Sequence, residues 1–156
     1  MSTKRTISLR DKKKRKRGYC TWCEVAVKKP RIYWCSDECV LAYRLRSDGS
    51  FLRSKVFERD QGICAACGLD TEALKAAYVQ AARAAVEGVE ERMEALGFKV
   101  NGPGLWSRPD HLWENNHIIP VCKGGGASWD TTINILDNCE TLCLNCHKEH
   151  TRNIKK

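Results

Sequence analysis

WENNHIIPVCKGGGASWDTTINILDNCETLCLNCH, residues 113–147, is the stretch on which the reading of this chain turns. His117 leads into an apolar run, Ile118-Ile119-Pro120-Val121. Gly124, Gly125 and Gly126 mark a tight loop in which backbone can approach backbone. The stretch closes on Cys143 and Cys146, with His147 directly after them. A C-x2-C turn sets two thiolates around one tetrahedral ion, which is half of a four-sulfur set. Cys64 and Cys67 have the same spacing and supply the other half. Together the four predict a closed structural zinc site that ties the start of this unit to its end.

The order of these pieces resembles the HNH endonuclease family. That family's pattern is a D-H-I-x-P strand, a glycine-rich loop, an asparagine five residues before a C-x2-C-H knuckle, and a short helix. Here the pieces read NHIIPVCKGGG, DNCETLCLNCH and KEHT. The likeness spans residues 51 to 152. Within the family it is to the HNH domain carried by an annealing helicase with a Ran-binding-type zinc finger, which also has a helical insert after its first knuckle. The resemblance implies an α+β fold: a small zinc-stabilised ββα-metal core over residues 51–156, with a helical insert at 70–97. It further implies a metal-dependent endonuclease acting on DNA, with His117 as general base and Asn138 holding the loop and orienting the histidine. A catalytic divalent cation, Mg2+, Mn2+, Ni2+ or Zn2+, would sit on Asn116 and His147. One position departs from the pattern. Asn116 stands where the family has an aspartate that binds the catalytic metal, and an amide oxygen coordinates a hard cation without bringing charge. Affinity for magnesium should therefore fall more than affinity for an imidazole-tolerant ion, with Glu114 placed to compensate from the same strand face.

The residue types suit that chemistry without the family name. Hydrolysing a phosphodiester needs a base to activate water and a cation to neutralise charge on the non-bridging and leaving oxygens. A neutral imidazole, with an unperturbed pKa near ~6.5, accepts a proton at cellular pH, which suits His117. His147 suits the second task as a ligand to one divalent ion. The amide of Asn138 donates and accepts at once, and a helix-capping role is its plainer reading. His150, three residues after His147, can face the same side of a helix, where it could add a ligand or touch a phosphate, but it is not assigned to the site. His111 reads as a surface residue, and Cys122 and Cys139 as core thiols.

Upstream, Arg53, Lys55 and Arg59 stand beside apolar Val56 and Phe57, the spacing of a short helix that offers its basic face to phosphates or to solvent. Residues 70 to 96 form one long helical pattern. Leu74, Tyr78, Ala81, Ala85, Val89, Met93 and Leu96 recur at spacings of three and four, Asp70 or Thr71 caps the start and Gly97 closes it. Its end is acidic, with Glu87, Glu90, Glu91 and Glu94, so it points away from DNA and either packs on the domain or offers a dimerisation surface.

A Ser-Asp-Gly-Ser turn after Ser47 separates this unit from a second set of cysteines at 18–47: Cys20, Cys23, Cys35 and Cys39. With four sulfur ligands this second zinc finger has no open position for water, so it carries no chemistry. Ser36, Asp37 and Glu38 favour the start of a helix at its second pair. The competing reading is a set of buried thiols. Residues 1–17 form a basic tail. Lys4, Arg5, Arg10, Lys12, Lys13, Lys14, Arg15, Lys16 and Arg17 stand against a single acid, Asp11, and this excess accounts for the whole net charge of +8. Such a run buries nothing apolar and reads as disordered, serving nucleic-acid contact by counterion release, solubility or nuclear import. With Arg53 and Lys55, Lys12 to Arg17 are the candidate DNA-binding residues.

Ten cysteines behind a basic rather than apolar N-terminus point to thiolate ligands in a reducing intracellular compartment, cytoplasm, nucleoid or nucleus. No apolar run approaches the ~20 residues of a membrane span. One chain offers one active site, so monomer and homodimer both fit, and symmetric double-strand cutting needs two copies. The alternative function is a catalytically weak or inactive zinc-containing DNA-binding protein. A third is a protein-interaction module built on the acidic helix.

Overall fold

The computed structural model describes residues 16–96, 98, 112–123, 125 and 133–154. Lys12, Lys13, Lys14 and Arg15 of the tail, the 101–104 loop, His111, Gly97, Gly124 and Gly126 lie outside them. The described residues form five α-helices and a two-stranded sheet, the α+β class expected. They are α1 (Asp37–Ser47), α2 (Gly49–Asp60), α3 (Thr71–Arg83), α4 (Val89–Ala95), β1 (Trp113–His117), β2 (Cys139–Cys143) and α5 (Leu144–Ile154). The chain divides into two compact units, residues 1–55 with 119–138 and residues 56–118 with 139–156.

In the second unit β1 and β2 pair antiparallel, with Trp113 opposite Cys143, Asn115 opposite Thr141 and His117 opposite Cys139. Opposite residues share a face and successive residues alternate. One face therefore carries Trp113, Asn115, His117 and Thr141, and the other carries Glu114, Asn116, Glu140 and Leu142. The end of α2 covers the first face. Phe57 stacks on the buried Trp113 with ring centroids 6.0 Å apart. Asp60 accepts from the Thr141 amide at 3.2 Å and its hydroxyl at 3.0 Å. Arg59 donates to the Cys139 carbonyl at 2.6 Å and to the Asp60 carboxylate. Of the two readings of the α2 charges, Arg59 thus takes neither, because it fastens the helix to β2. The Arg59 guanidinium and the Thr141 hydroxyl hold the Asp60 carboxyl below the usual carboxylate range. Helix α5 covers the second face, bringing His150 to Asn116.

The long helix expected over 70–96 is two helices. Asp70 caps α3 as read, its side chain accepting from the Ala73 amide at 2.8 Å. The helix then stops at Arg83, where Ala85 turns left-handed (φ 51) and the Val86 amide reaches back to the Ala81 carbonyl at 3.1 Å. This is a Schellman-type end built without a glycine. Gly88 (φ 73) starts α4. The reason is burial: the break folds Val89 and Met93 into one core with Tyr78, Phe98, Leu112 and Leu142, whereas a continuous helix carries them past it. Ala85 and Leu96, expected on the apolar stripe, are exposed.

In the first unit α1 begins where Ser36 caps it, accepting from the Cys39 amide at 3.3 Å, with Asp37 and Glu38 in the first turn against the helix dipole. Trp34 meets Tyr43 edge-on at 5.0 Å. Arg46 lies 5.1 Å over the Trp22 ring and donates to the Ile133 carbonyl at 2.7 Å. Arg44 lies 3.8 Å over Phe51, and Lys55 5.6 Å over the same ring.

Candidate metal centres and active site

Each cysteine set draws its four sulfurs within 4.8 Å of one another: Cys20, Cys23, Cys35 and Cys39 in the first unit, and Cys64, Cys67, Cys143 and Cys146 in the second. In the first, Cys23 and Cys35 are 3.4 Å apart, Cys35 and Cys39 3.4 Å, and Cys39 and Cys23 3.8 Å; in the second, Cys67 and Cys143 are 3.9 Å apart. A tetrahedral ion with bonds of about 2.3 Å to sulfur has edges of about 3.8 Å, so both sets could hold a metal ion such as zinc. The local electrostatics agree. Burial opposes ionisation at Cys20, but the amides of Cys23, Cys35 and Trp22 outweigh it and bring the thiol to about 7. Cys64 reaches about 7 in the same way, through Cys143, Cys67 and Ala66. Burial and then the crowding of neighbouring sulfurs push Cys39 up to about 12 and Cys146 upward as well. Sulfurs this crowded oppose one another's ionisation, and a cation between them would offset that.

The two knuckles are built alike. Cys20 accepts from the Glu24 amide at 2.9 Å, and Cys64 from the Gly68 amide at 2.8 Å. The Cys20 amide bonds Val25 at 2.8 Å, and that of Cys64 bonds Leu69 at 2.9 Å. Gly18 and Gly62, at φ 85 and 77, precede them. This repeat of Gly-x-Cys-x2-Cys is visible in the sequence, and the sequence reading did not use it.

His117 ends β1, half-buried, and burial pushes its pKa below 6.5. Asn116 leaves the strand on the opposite face and is 5% exposed. Its amide nitrogen donates to the Glu140 carboxylate at 2.9 Å and lies 3.4 Å from the His150 Nδ1. The ring that reaches Asn116 is thus that of His150; His147, a turn earlier on α5, has its carbonyl bonded by the Thr151 hydroxyl at 2.9 Å. Glu140 was not singled out from the sequence. Only strand register places it opposite Asn116, and no local motif carries that register.

Asn138 clasps the loop that follows β1. Its Oδ1 accepts from the Ile119 amide at 2.8 Å, and its Nδ2 donates to the carbonyls of Gly125 at 2.6 Å and Ile119 at 3.2 Å. Its plainer reading as a helix cap is corrected, because β2 rather than a helix follows it. Gly125 is where backbone does meet backbone: a Cβ there would lie 1.7 Å from the Ile119 carbonyl oxygen. Cys139 is buried as expected, its thiol pushed up to about 11 by burial. Cys122 is exposed, not a core thiol, because it sits on a 3-10 turn none of whose three residues is buried. Of the candidate DNA-binding residues, Lys16 and Arg17 are exposed, with the Lys16 ammonium 4.1 Å over the Tyr19 ring; Arg53 and Lys55 are half-buried on α2. Among the described residues no helix is long and apolar enough to cross a membrane.

No family model matches the chain. Over 125 residues, 76% of the chain, it is 34% identical to the "DNA annealing helicase and endonuclease ZRANB3" of Mus musculus, and 33% identical to that of Homo sapiens. The chain spans 11% of the length of these relatives. It is also 30% identical to the solved human ZRANB3 HNH domain, over 68% of this chain and 88% of that one. The TM-score of that overlay is 0.39. The cysteine pairs, the His117 strand and that identity agree, and the chain belongs to the HNH-type domains, a nuclease-type family, as a relative of the HNH domain of ZRANB3.

Proposed function

We propose that the chain is a metal-dependent endonuclease that hydrolyses DNA phosphodiester bonds, with His117 as general base. The observation that carries this reading is the placement of neighbouring groups on opposite faces of one strand end, His117 on the α2 side and Asn116 on the α5 side. In-line displacement puts the attacking and leaving oxygens on opposite sides of phosphorus, so a base and a cation flanking the phosphate suit it. His117 takes the proton from water as its oxygen bonds to phosphorus. The bond from phosphorus to the 3′ oxygen breaks, and that oxygen is protonated from solvent. Burial keeps the imidazole neutral near pH 7, the form that accepts a proton. A divalent cation, Mg2+, Mn2+, Ni2+ or Zn2+, would be held at Asn116 and would neutralise charge on the phosphate oxygens. Asn138, through its grip on Ile119 and Gly125, fixes the loop that leaves the histidine strand. The relatives are a DNA annealing helicase and endonuclease, which supports DNA as substrate.

The two cysteine sets hold structural zinc in an intracellular, reducing compartment, and the basic residues from Lys12 to Arg17 add salt-sensitive DNA affinity. The test is plasmid cleavage by the purified protein across the four metals, with His117→Ala beside it. The variant should lose about 10²- to 10⁴-fold in rate while still folding and binding DNA. Equal cutting by His117→Ala would remove the base. Binding without cutting by the parent would leave a DNA-binding zinc protein.

A further inference from the structure

Asn116, Glu140 and His150 come from β1, β2 and α5, separated by 24 and 34 residues, yet meet at a single nitrogen. The Asn116 Nδ2 lies 2.9 Å from a Glu140 carboxylate oxygen and 3.4 Å from the His150 Nδ1. Two acceptors, one of them anionic, thus converge on one electropositive point against a side chain that is 5% exposed. A carboxylate oxygen, an imidazole nitrogen and an amide are ligand types for a divalent transition ion. Turning the Asn116 amide about its own axis exchanges the nitrogen for Oδ1 and gives the third ligand. We propose that Glu140 and His150, with Asn116, hold the divalent cation of this domain, and that Glu140 supplies the negative charge that Asn116 lacks.

The inference rests on the nuclease reading for its purpose but not for its measurement. Asn116 with His147 alone sets no charge against a doubly charged ion; Glu140 sets one. The mixed set favours manganese, nickel or zinc over magnesium, which prefers an all-oxygen shell with most of its waters kept. It also explains how an asparagine is accommodated at this position: a carboxylate already stands across the strand pair, and a second one at 116 would face it unshielded in the absence of an ion.

The experiment is Mn2+ titration of the 156-residue chain with its cysteine sites zinc-loaded, read by electron paramagnetic resonance, with zinc content and circular dichroism recorded for every variant. Glu140→Gln keeps an acceptor for the Asn116 amide, so it removes charge without removing the hydrogen bond. Glu140→Gln and His150→Ala are each expected to weaken Mn2+ binding by roughly tenfold or more at unchanged zinc content. Parental affinity in both variants, or loss confined to His147→Ala, overturns the proposal. So does a parent that takes up no Mn2+. A parent that binds Mn2+ through Glu140 yet cuts no DNA upholds this site and removes the nuclease reading. A parent that cuts, with Mn2+ binding indifferent to Glu140 and His150, does the reverse.

Discussion

The two cysteine sites share a clasp and differ in what the clasp encloses. Each joins a Gly-x-Cys-x2-Cys knuckle to the first turn of a helix, Cys20 and Cys23 to α1 and Cys64 and Cys67 to α5. In the first, the second pair of sulfurs follows after eleven residues. In the second, the chain makes α3, α4, β1 and β2 before it returns at Cys143. An ion at the first site organises a local loop. At the second it closes a long excursion, where loop closure costs more entropy and the cross-link constrains more of the unfolded chain. Asn116, His117, Asn138 and Glu140 lie within that excursion, and His147 and His150 follow it on α5. The comparison teaches that a closed sulfur set, with no open position for water, decides which strands are held together.

The strongest way to break this comparison is to remove one ligand from each site. Cys64→Ser should abolish cooperative unfolding of the second unit, since a structural zinc contributes on the order of 10 kcal/mol or more. Cys20→Ser should release the first knuckle and α1 while amide protons of β1 and β2 remain protected in hydrogen exchange. Equal loss of β1–β2 protection in both variants would show that the two sites do not have separate tasks.

Next in size is the long excursion's own fastening. Asn138 is buried and bonds two carbonyls and one amide, so Asn138→Ala strands three backbone groups and should cost about 2–3 kcal/mol in urea unfolding at unchanged zinc content. A change within error would mean that the cysteine clasp holds this loop without it.

Asp60 fastens the end of α2 to β2 in the second unit, and Asp60→Asn should cost about 1–2 kcal/mol at pH 7. Its pKa is lower folded than unfolded, so its contribution is present above the unfolded value of ~3.9 and is lost as pH falls through the folded one. The gap between parent and variant in denaturant midpoint should close on acidification; a gap that widens would contradict the assignment.

The smallest effect lies in the knuckles. Glu24 and Gly68 hold equivalent left-handed positions, φ 59 and 71. Gly68→Ala should cost about 1 kcal/mol, and Glu24→Gly should stabilise by up to about that amount. Matching signs in thermal melts would show that the two knuckles are not equivalent.

Much of this was legible in the residues because its geometry is local. Cysteine spacing fixes ligand pairs within one turn, Ser36 and Asp70 cap helices through side chains three residues from their partners, and the His117 strand precedes its loop in sequence. The break at Ala85 was not legible, because helical periodicity continues through it and only the core shared by Tyr78, Val89 and Met93 rewards the turn. Exposure of Cys122 and the use of Arg59 as a fastener were likewise set by what packs nearby.

The sequence by itself determined the four pairs of neighbouring cysteines and the starts of α1 and α3, since each follows from contacts a few residues apart. The joining of Cys64 and Cys67 to Cys143 and Cys146 and the histidine strand were legible from matched spacing and from the family resemblance. Only the tertiary structure decided that Glu140 and His150 meet Asn116, because strand register and the packing of α5 on the sheet bring together residues that no local spacing relates.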